Sequence, residues 1–330
     1  MRILIPGGSG QVGTILARHF YRRGDDVVVL SRTRQQAPWK VVAWDGQTLG
    51  DWISELEGAD VVINLTGRSV NCRYTPANRK AILESQVRST HIIGQAIARA
   101  VRPPHTWLQA STATIYSHRY DAANDEQTGV LGGTESDAPD TWRFSIDVAR
   151  AWERATEDFS TPRTRKVLLR SAMTMSPDHG GIFDTLLRLV RLGLGGRAGD
   201  GRQYVSWIHD LDFIRAIESL IDNKELAGPI NLAAPHPLPY SEFQRVLRHA
   251  WGMPIGLPAT RWMVEIGTRL LGTESELVLK SRRVVPGILL KSGFTFDFPN
   301  WKDAAADLTR RWRELQKRGP AILSPTLHAR

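Results

Sequence analysis

The chain has 330 residues, 42% of them hydrophobic and 23% charged, which is ordinary for a globular protein with one or two large cores. Its single cysteine, Cys72, excludes an internal disulfide framework and a zinc cluster built from cysteines. The net charge is +9 at pH 7, but the basic residues are scattered and mostly arginine, and no nucleic-acid-binding motif accompanies them. We therefore predict an arginine-rich surface with a small anionic ligand and no nucleic acid as partner.

Neither secretion nor membrane insertion is expected. The apolar run within MRILIPGG is too short for a signal peptide. No stretch approaches the roughly 20 apolar residues of a membrane span, since even Leu186–Leu194 is interrupted by Arg188 and Arg191. A lone cysteine also suits a reducing compartment. We expect a soluble, cytoplasmic protein without membrane contacts.

Short apolar runs alternate with helical patterns in the first half of the chain. The predicted strands are Arg2–Ile5, Asp26–Leu30, Val41–Trp44, Asp60–Leu65, Thr106–Ala110 and Lys166–Arg170. The predicted helices are Gln11–Arg23, Asn78–Ala100 and Asp147–Asp158. Because strands that alternate with helices form parallel sheets with right-handed crossovers, the pattern predicts an α/β fold with a doubly wound, Rossmann-type parallel sheet.

The pattern changes after about residue 175, where glycine and proline become frequent and helices are predicted at Ile182–Leu192 and Asp212–Asn223. We assign residues 1–175 to the Rossmann domain, to which part of residues 195–230 returns. Residues 176–330 form mainly a smaller mixed C-terminal substrate lobe, to which everything from Pro229 onward is assigned. The basic tail Gln316–Arg330 is either a loose arm or a contact with a partner subunit, so a homo-oligomer stays open.

A glycine-rich turn follows the first predicted strand and opens the first helix, with the sequence GGSGQVG at Gly7–Gly13. Gly7 allows the tight turn, Gly10 lets backbone N–H groups approach a pyrophosphate, and Gly13 lets the helix pack closely. The helix N-terminus adds a partial positive charge that favours an anion. An ordinary glycine turn is the alternative, but the complete strand–turn–helix context predicts a dinucleotide site.

The second predicted strand ends in Ser31–Arg32, where Rossmann folds that prefer NAD place an acidic residue on the ribose 2′-hydroxyl. A carboxylate would repel a 2′-phosphate, whereas a guanidinium binds it through charge-assisted hydrogen bonds. Such bonds contribute roughly 1.5–3 kcal/mol. The alternative is a solvated loop arginine, but Ser31–Arg32 favours NADP(H) as the cofactor.

With the glycine loop, Ser31–Arg32 and the NLTG stretch at Asn64–Gly67, the chain resembles the short-chain dehydrogenase/reductase superfamily. More narrowly, it resembles the atypical, extended-type "epimerase family" subgroup of nucleotide-sugar epimerase-like proteins, which carries a conserved C-terminal domain of unknown function. The similarity runs nearly end to end. Its most specific segments are GLGGRAGDGRQYVSWIHDLD at Gly193–Asp212, GPINLAAPHP at Gly228–Pro237 and VPGILLKSGFTFDFP at Val285–Pro299.

The resemblance implies cofactor contacts at matching positions. In the loop that would hold the pyrophosphate these are Gly7, Ser9, Gly10, Gln11, Val12 and Gly13. Elsewhere they are Ser31 and Arg32 at the 2′-phosphate, Leu65, Thr66 and Gly67 beside the adenosine and ribose, and Thr174 near the nicotinamide. One position departs from the subgroup, which usually has Ser-Arg where this chain has Ser85–Gln86. Gln86 is the candidate contact there, and Arg88 is a candidate substitute for the missing arginine.

Superfamily chemistry usually needs a tyrosine and a lysine four residues apart, with a serine or threonine on the preceding strand. The lysine lowers the tyrosine pKa so that the phenolate can act as a base. The segment Ala110–Tyr116, ASTATIY, resembles the SSATVY of sugar epimerases. Thr112 then falls on the catalytic serine/threonine position and Thr114 on the next strand-facing position, although β-branched threonines also simply suit a strand end.

The tyrosine–lysine pair itself is missing. Counting back from Glu153, the lysine position is occupied by Ala149 and the tyrosine position by Ser145. No tyrosine anywhere in the chain is followed four residues later by a lysine. The subgroup is itself described as lacking the usual active-site residues, so the absence agrees with the resemblance.

Other side chains could therefore carry proton transfer. Tyr116 is expected near the nicotinamide, and the loop after the fifth strand adds His118, Tyr120, Asp121 and Asp125. His209, in SWIHDLD, either shapes the pocket together with Trp207 or is a buried structural histidine. Asp210 or Asp212 is expected to cap the following helix. No metal is expected, because the histidines are dispersed and no pair stands four apart beside a carboxylate.

Three functions fit this pattern. The first is an NADP(H)-dependent oxidoreductase or epimerase with a non-standard active site, for which Thr112, Thr114, Tyr116 and His209 are the catalytic candidates and the substrate is an unidentified small molecule. The second is a cofactor-occupied sensor or scaffold, which predicts a closed or apolar cleft without converging polar groups. The third is a non-redox dehydratase or cyclase on the same fold.

Overall fold

The computed structural model describes residues 1–33, 36–135, 139–270 and 272–318. Its strands are β1 (Arg2–Pro6), β2 (Asp26–Ser31), β3 (Lys40–Ala43), β4 (Val61–Asn64), β5 (Thr106–Thr112), β6 (Arg165–Ser171), β7 (Met173–Met175), β8 (Tyr204–Val205), β9 (Trp207–His209), β10 (Gly228–Leu232) and β11 (Leu238–Pro239). Its helices are α1 (Gln11–Arg23), α2 (Ile53–Leu56), α3 (Pro76–Arg99), α4 (Asp140–Glu157), α5 (Ile182–Arg191), α6 (Asp210–Asp222), α7 (Tyr240–Trp251), α8 (Arg261–Leu270), α9 (Glu276–Leu279), α10 (Gly287–Lys291) and α11 (Trp301–Arg318).

Seven strands form one sheet in the order β10-β6-β5-β4-β1-β2-β3, and every neighbouring pair is parallel. The central strands β1, β2 and β4 are almost entirely buried, as expected for strands covered by helices on both faces. The strand order reverses between β1 and β4, and in such sheets ligands bind beyond the carboxyl ends of the strands at that point. The predicted doubly wound α/β fold with a smaller C-terminal lobe is confirmed.

Helices pack on both faces of this sheet. On one face, the apolar side of α1 (Ile15, Leu16 and Phe20) joins side chains of α6. On the other face, α2 and α3 pack against the sheet, and Trp107 of β5 is part of the apolar cluster between them. α1 ends where Gly24 adopts a φ of 94° and donates its N–H to carbonyls of the last turn, a glycine helix cap. Helices therefore cover both faces of the sheet.

The C-terminal lobe has its own core. α5, α7 and α11 pack around Phe183, Trp207, Phe243 and Trp301, which are fully or almost fully buried. The rings of Phe243 and Trp301 stack with centroids 4.1 Å apart. Within the described ranges, no helix combines the length and the apolar character needed to cross a membrane.

Several predicted boundaries differ from the structure. α4 begins at Asp140 rather than at the predicted Asp147. The sequence pattern missed its first turns because they are half-exposed and their apolar residues repeat only weakly at the helical period. α3 begins at Pro76, where Thr75 accepts a hydrogen bond from the N–H of Asn78 and proline suits the first helical turn.

β10 is an edge strand of the large sheet and pairs with β6. Most of this strand lies in the part of the chain that is expected from the sequence to belong to the C-terminal lobe. Residues 319–330, most of the basic tail on which the arm or subunit-contact interpretation rests, lie outside the described residues.

Candidate active site

Two cavities adjoin each other at the carboxyl ends of the strands. The first, the glycine-loop cavity, has a volume of about 450 Å³ and is bordered by the turn between β1 and α1, the end of β2 and part of α3. The second, the threonine cavity, has a volume of about 290 Å³ and is bordered by the end of β5, by α4 and by the segment around Leu277. Leu65, Gly67 and Arg68 line both cavities, so the two are adjacent, and together they are called the cleft.

The three glycines of the loop have different environments. Gly7 has a φ of 74°, and a Cβ there would lie 2.7 Å from backbone atoms of Thr66, so only glycine fits. A Cβ on Gly13 would lie 2.4 Å from the Cα of Gly8, so α1 packs directly against the turn. A Cβ on Gly10 would meet only the Gly7 carbonyl oxygen, at 3.7 Å, and Gly10 opens to the cavity.

The start of α1 is suited to an anion. No side chain among the described residues caps it, and its first turn carries no acidic residue. The first backbone N–H groups of a helix lack intrahelical partners and carry a partial positive charge. Together with open space at Gly10, this arrangement can hold a pyrophosphate.

Cationic side chains border the same cavity. Ser31 is buried at the end of β2, where its Oγ accepts a hydrogen bond of 3.2 Å from the N–H of Thr33. Arg32 is exposed and forms no hydrogen bond or ion pair with the described part of the chain. Arg88 also lines the cavity, and its Nη1 donates to Gln47 Oε1 at 3.0 Å. An unpaired guanidinium at this place can bind a phosphate group.

The walls of the cleft also contain polar atoms without partners. Thr66 Oγ1 and Gln86 Oε1 are buried without a hydrogen bond among the described residues, and each belongs to a residue that lines one of the two cavities. Asn64 positions Thr66, because Asn64 Oδ1 accepts from the N–H of Thr66 at 3.1 Å. Since buried polar groups in native proteins are nearly always hydrogen-bonded, these atoms indicate ligand contacts. The residues present therefore fit an adenine dinucleotide.

Not every implied contact faces the cleft. Gly7, Ser9, Gly10, Ser31, Arg32, Leu65, Thr66, Gly67 and Gln86 line it. Val12 packs against the core beneath α1, and Gln11 lies against Gly181. Thr174 is buried on β7 opposite Ile208 and borders neither cavity. The structure thus separates the residues that border the cleft from those that lie outside it.

Thr112 and Thr114 both border the threonine cavity. Thr112 Oγ1 accepts a hydrogen bond of 3.2 Å from the N–H of Thr114. Thr114 Oγ1 in turn accepts one of 3.0 Å from Arg282 Nε. Ser145, which stands at the tyrosine position, borders the same cavity. Apolar side chains make up much of the remaining wall: Val70, Ile82, Phe144, Val148 and Leu277.

Tyr116 does not reach this cavity, contrary to expectation. A 3-10 turn at Ala113–Ile115 separates it from β5, so the alternation of the strand does not extend to it. Its hydroxyl donates to Asn231 Oδ1 at 2.9 Å and accepts from Arg170 Nη1 at 3.0 Å. Burial raises the pKa of Tyr116 against the opposing effect of Arg170. Tyr116 is a protonated core residue rather than an acid or base of the site.

His209 is likewise placed away from both cavities. It is fully buried as the N-cap of α6, where Nδ1 accepts from the N–H of Leu211 at 3.2 Å. Its Nε2 lies 3.2 Å from Asp307 Oδ2, and its ring stacks on Phe298. Burial lowers the pKa of His209. This corrects the expectation that His209 shapes a substrate pocket, and the same holds for Trp207, which packs against Trp301.

The two aspartates after His209 have other partners. Asp210 forms an ion pair with Arg311, its Oδ1 lying 2.8 Å from Arg311 Nη1. Asp212 accepts from the N–H groups of Asp297 and Phe298. The cap of α6 expected from one of them is supplied chiefly by His209, although Asp210 Oδ1 also accepts from the N–H of Leu211 at 3.1 Å.

The loop after β5 holds its titratable residues in structural contacts outside both cavities. His118 Nδ1 accepts from the N–H of Ser281 at 2.7 Å. Asp121 pairs with Arg119, and Asp125 accepts from the turn at Gln127. Tyr120 packs its ring against His118.

A charged cluster that the sequence analysis missed lies behind the threonine cavity. Ser145 Oγ forms a short hydrogen bond with Glu276 Oε2. Glu276 Oε1 lies 3.7 Å from Lys280 Nζ and 3.6 Å from Arg282 Nη2. Lys280 Nζ donates to the carbonyl oxygen of Thr114 at 2.9 Å. The available signal was a pair of charges four residues apart, Glu276 and Lys280, in the otherwise apolar stretch ELVLK.

Burial dominates the electrostatics of this cluster. It raises the pKa of the Glu276 carboxyl, against the attraction of Arg282 and Lys280. It lowers the pKa of Lys280 to about 8, an effect that Arg282 reinforces. Tyr74, whose hydroxyl lies 3.3 Å from Ser145 Oγ, has its pKa raised to about 12 by burial and by Glu276. At neutral pH Tyr74 keeps its proton, and the Glu276 carboxyl is shifted towards its protonated form.

Comparisons with known proteins identify the family to which the chain is similar. Residues 3–233 match the model of the NAD dependent epimerase/dehydratase family, and residues 259–308 match a domain of unknown function that contains Glu276, Lys280 and Arg282. An epimerase family protein of Staphylococcus haemolyticus is 32% identical over 312 residues, which cover 93% of this chain and 98% of that protein.

Solved structures show the same similarity. A human epimerase family protein, crystallised with NADPH, has 26% identity and a TM-score of 0.81 over 94% of this chain and 99% of that chain. A nucleoside-diphosphate sugar epimerase from Corynebacterium glutamicum has 26% identity and a TM-score of 0.72, covering 96% of this chain and 61% of that one. The expected resemblance is confirmed, and the chain belongs to the NAD dependent epimerase/dehydratase family.

Proposed function

We propose that this protein is a cytoplasmic, NADP(H)-dependent reductase or epimerase that acts on a small, mainly apolar molecule carrying a carbonyl or hydroxyl group. The observation that carries the proposal is the pair of adjacent cavities. One is bordered by Arg32, which has no hydrogen bond or ion pair among the described residues, and the other by Thr112, Thr114 and Ser145. The glycine-loop cavity suits a phosphorylated dinucleotide, and the threonine cavity suits a substrate that carries an oxygen atom.

The cofactor preference rests on Arg32. Its guanidinium is free to bind a 2′-phosphate, Ser31 lies beside it, and Arg88 adds positive charge along the same cavity. Charge-assisted hydrogen bonds to such a phosphate contribute roughly 1.5–3 kcal/mol. The NADPH in the crystal structure of the 26% identical human relative supports the same preference.

The threonine cavity limits the substrate. Its volume of about 290 Å³ is just below the range of roughly 300–1,000 Å³ for ligand pockets. When bound, the nicotinamide of the cofactor would supply or accept a hydride. Thr112 Oγ1 would then orient the substrate oxygen, and the apolar side chains of the wall would exclude water. This volume is small for a nucleotide sugar beside the nicotinamide, so we expect a compact substrate.

A cofactor-occupied sensor remains the second candidate, because Ser145 and Ala149 replace the tyrosine and lysine of the superfamily. A sensor needs no converging polar groups in its cleft. Here Thr112, Ser145 and Arg282 converge on one cavity, which favours chemistry, either redox or of the dehydratase type.

The affinity for NADPH and NADH tests the cofactor assignment. We expect the parent protein to bind NADPH more tightly, and Arg32→Ala to weaken NADPH binding by about 10- to 100-fold while leaving NADH binding unchanged. Arg22→Ala is the matched control, because Arg22 is an exposed arginine on α1 that does not border the cleft. Equal affinities of the parent protein for the two cofactors would refute the argument from Arg32.

Reduction of diacetyl, a compact dicarbonyl, by the NADPH-loaded protein tests the reaction. We expect NADPH oxidation that depends on diacetyl and that Thr112→Ala lowers. If neither diacetyl nor a panel of similarly compact carbonyl compounds is reduced, the reductase assignment fails and the sensor takes its place.

A further inference from the structure

The hydrogen bond between Ser145 and Glu276 joins the wall of the threonine cavity to a carboxyl group behind it. We propose that these two residues form a proton relay, in which Ser145 Oγ exchanges a proton with the substrate oxygen and Glu276 holds the proton behind it. The proposal rests on the proposed function, because it concerns the acid and base of the same site. Ser145 is then the catalytic residue, and Glu276 is a positioning residue that acts through it.

Ser145 is well placed for this role. It lies on α4 at the position of the superfamily tyrosine and borders the same cavity as Thr112. A serine hydroxyl is a weaker acid than the phenol of a tyrosine. Ser145 can therefore give its proton to the substrate only if a neighbouring group returns a proton to it. Glu276 Oε2 is that partner. Tyr74 OH lies 3.3 Å from Ser145 Oγ and, because its pKa is raised, can donate a hydrogen bond to that oxygen but cannot remove the proton of Ser145.

The surroundings of Glu276 favour a carboxyl that can change its protonation state. The side chain is 1% exposed, and Oε1 has no hydrogen bond among the described residues. Burial of this carboxylate, with a hydrogen bond to Oε2 but none to Oε1, favours the acid form. Lys280 and Arg282, at 3.7 Å and 3.6 Å, favour the carboxylate once it forms. Both forms are thus accessible, as a relay requires.

The other charged groups around the cluster have their own partners. Glu274 accepts from the N–H of Tyr74 and pairs with Arg73. Glu135, whose charge acts on Lys280, accepts from the N–H groups of His118 and Gly133. The pKa of Glu276 is therefore set first by burial, which raises it, and then by Arg282 and Lys280, which oppose that rise.

The step balances as a proton shift. The carbonyl carbon of the substrate would gain a hydride supplied by the reduced nicotinamide of the bound cofactor, and the electron pair of the C=O π bond would move to the substrate oxygen. The O–H bond of Ser145 breaks as a new O–H bond forms on that oxygen. The O–H bond of Glu276 breaks, and its proton restores the Ser145 hydroxyl. The negative charge ends on the Glu276 carboxylate, between Lys280 and Arg282. Oxidation of an alcohol runs through the same bonds in reverse.

This relay gives the C-terminal domain a defined task. Glu276, Lys280 and Arg282 all fall within the matched domain at residues 259–308, whereas Ser145 belongs to the sheet-bearing part of the chain. The carboxyl that stands in for the missing tyrosine–lysine pair is thus supplied by the C-terminal domain.

Infrared spectroscopy of the whole protein with carbon-13-labelled glutamate tests the shared proton without requiring turnover. We expect a protonated-carboxyl band that disappears in Glu276→Gln, that persists above the ordinary glutamate pKa of about 4.3, and that shifts in Ser145→Ala. Ser111→Ala is the matched control, since Ser111 Oγ donates to the buried Glu153 outside both cavities. A Glu276 band that titrates at the ordinary value, or that ignores Ser145→Ala, would overturn the proposal.

The pH profile of diacetyl reduction tests the relay in turnover. The rate should fall as the pH rises through the Glu276 pKa, and Glu276→Gln should remove this limb while lowering kcat by about 100-fold or more. Ser145→Ala should lower kcat at every pH, and Ser145→Thr should restore part of it. An unchanged pH profile in a folded Glu276→Gln protein overturns the relay.

The two proposals can fail separately. Failure of the parent protein to reduce any compact carbonyl refutes the reductase function, and the infrared titration then decides whether Ser145 and Glu276 share a proton. Circular dichroism of each variant shows whether it is folded. Where Glu276→Gln is not folded, the response of the Glu276 band to Ser145→Ala and Ser145→Thr decides instead.

Discussion

Replacing Gly10 by alanine should weaken NADPH binding without destabilising the protein. Gly10 has φ −75° and ψ 173°, an extended conformation that alanine adopts freely, and the added methyl group would meet only the Gly7 carbonyl oxygen, at 3.7 Å. The small cost of alanine as a helix N-cap is offset by the reduced entropy of the unfolded chain. The free energy of unfolding without cofactor should therefore change by no more than about 1 kcal/mol.

The methyl group would stand where the pyrophosphate approaches the start of α1. Loss of one charge-assisted hydrogen bond costs roughly 1.5–3 kcal/mol, which weakens NADPH binding by about 10- to 100-fold. At an NADPH concentration of about 1,000 times the parent Kd, the parent gains about 4.1 kcal/mol in unfolding free energy. A variant with a 100-fold weaker Kd gains about 1.4 kcal/mol at that concentration.

Urea unfolding with and without NADPH measures both quantities, and Gly13→Ala provides the contrast. A methyl group on Gly13 would lie 2.4–2.6 Å from backbone atoms of Gly8, which cannot move aside cheaply. That variant should lose about 1–3 kcal/mol of unfolding free energy even without cofactor. Parent-like NADPH affinity in Gly10→Ala would refute the assignment of the pyrophosphate to this turn.

Two further predictions concern residues that the structure removes from the site. Because burial lowers the pKa of His209, the unfolded chain binds a proton that the folded chain does not; the free energy of unfolding should therefore fall as the pH drops below about 6.5. Urea unfolding at pH 7.5 and 5.5 should show a smaller loss in His209→Gln than in the parent, and equal losses would contradict this burial. Tyr116→Phe leaves Arg170 Nη1 and Asn231 Oδ1 without their hydroxyl partner, so it should cost about 1–3 kcal/mol of unfolding free energy with unchanged NADPH affinity. Weaker NADPH binding by Tyr116→Phe would return Tyr116 to the site.

Local sequence was sufficient to predict the glycine turn between β1 and α1, because a single short segment of the chain forms it. The positive φ of Gly7, the open position of Gly10 and the close packing at Gly13 all follow from the spacing of three glycines between β1 and α1. The central strands could also be predicted, because strands buried on both faces must be continuously apolar. Thr112 was found in a different way, from the resemblance of the segment Ala110–Tyr116 to the SSATVY of sugar epimerases.

Sequence reasoning failed where side-chain direction depends on the surroundings. Tyr116 follows Thr112 closely, yet a single 3-10 turn directs it into the core against Arg170. His209 lies in a segment specific to the family, but it serves as a buried helix cap under Phe298. Neither outcome can be read from residue type, because tyrosine and histidine suit both buried and catalytic positions.

The sequence by itself determined the fold class, the dinucleotide turn and the absence of the tyrosine–lysine pair. Only the tertiary structure decided what stands in that pair's place. Ser145 and Glu276 are 131 residues apart in the chain, and they meet because α4 packs against the segment around α9. The proposed proton relay depends on burial as well as on proximity, because the burial of Glu276 raises its pKa. A sequence shows which groups are charged, but burial decides how they titrate.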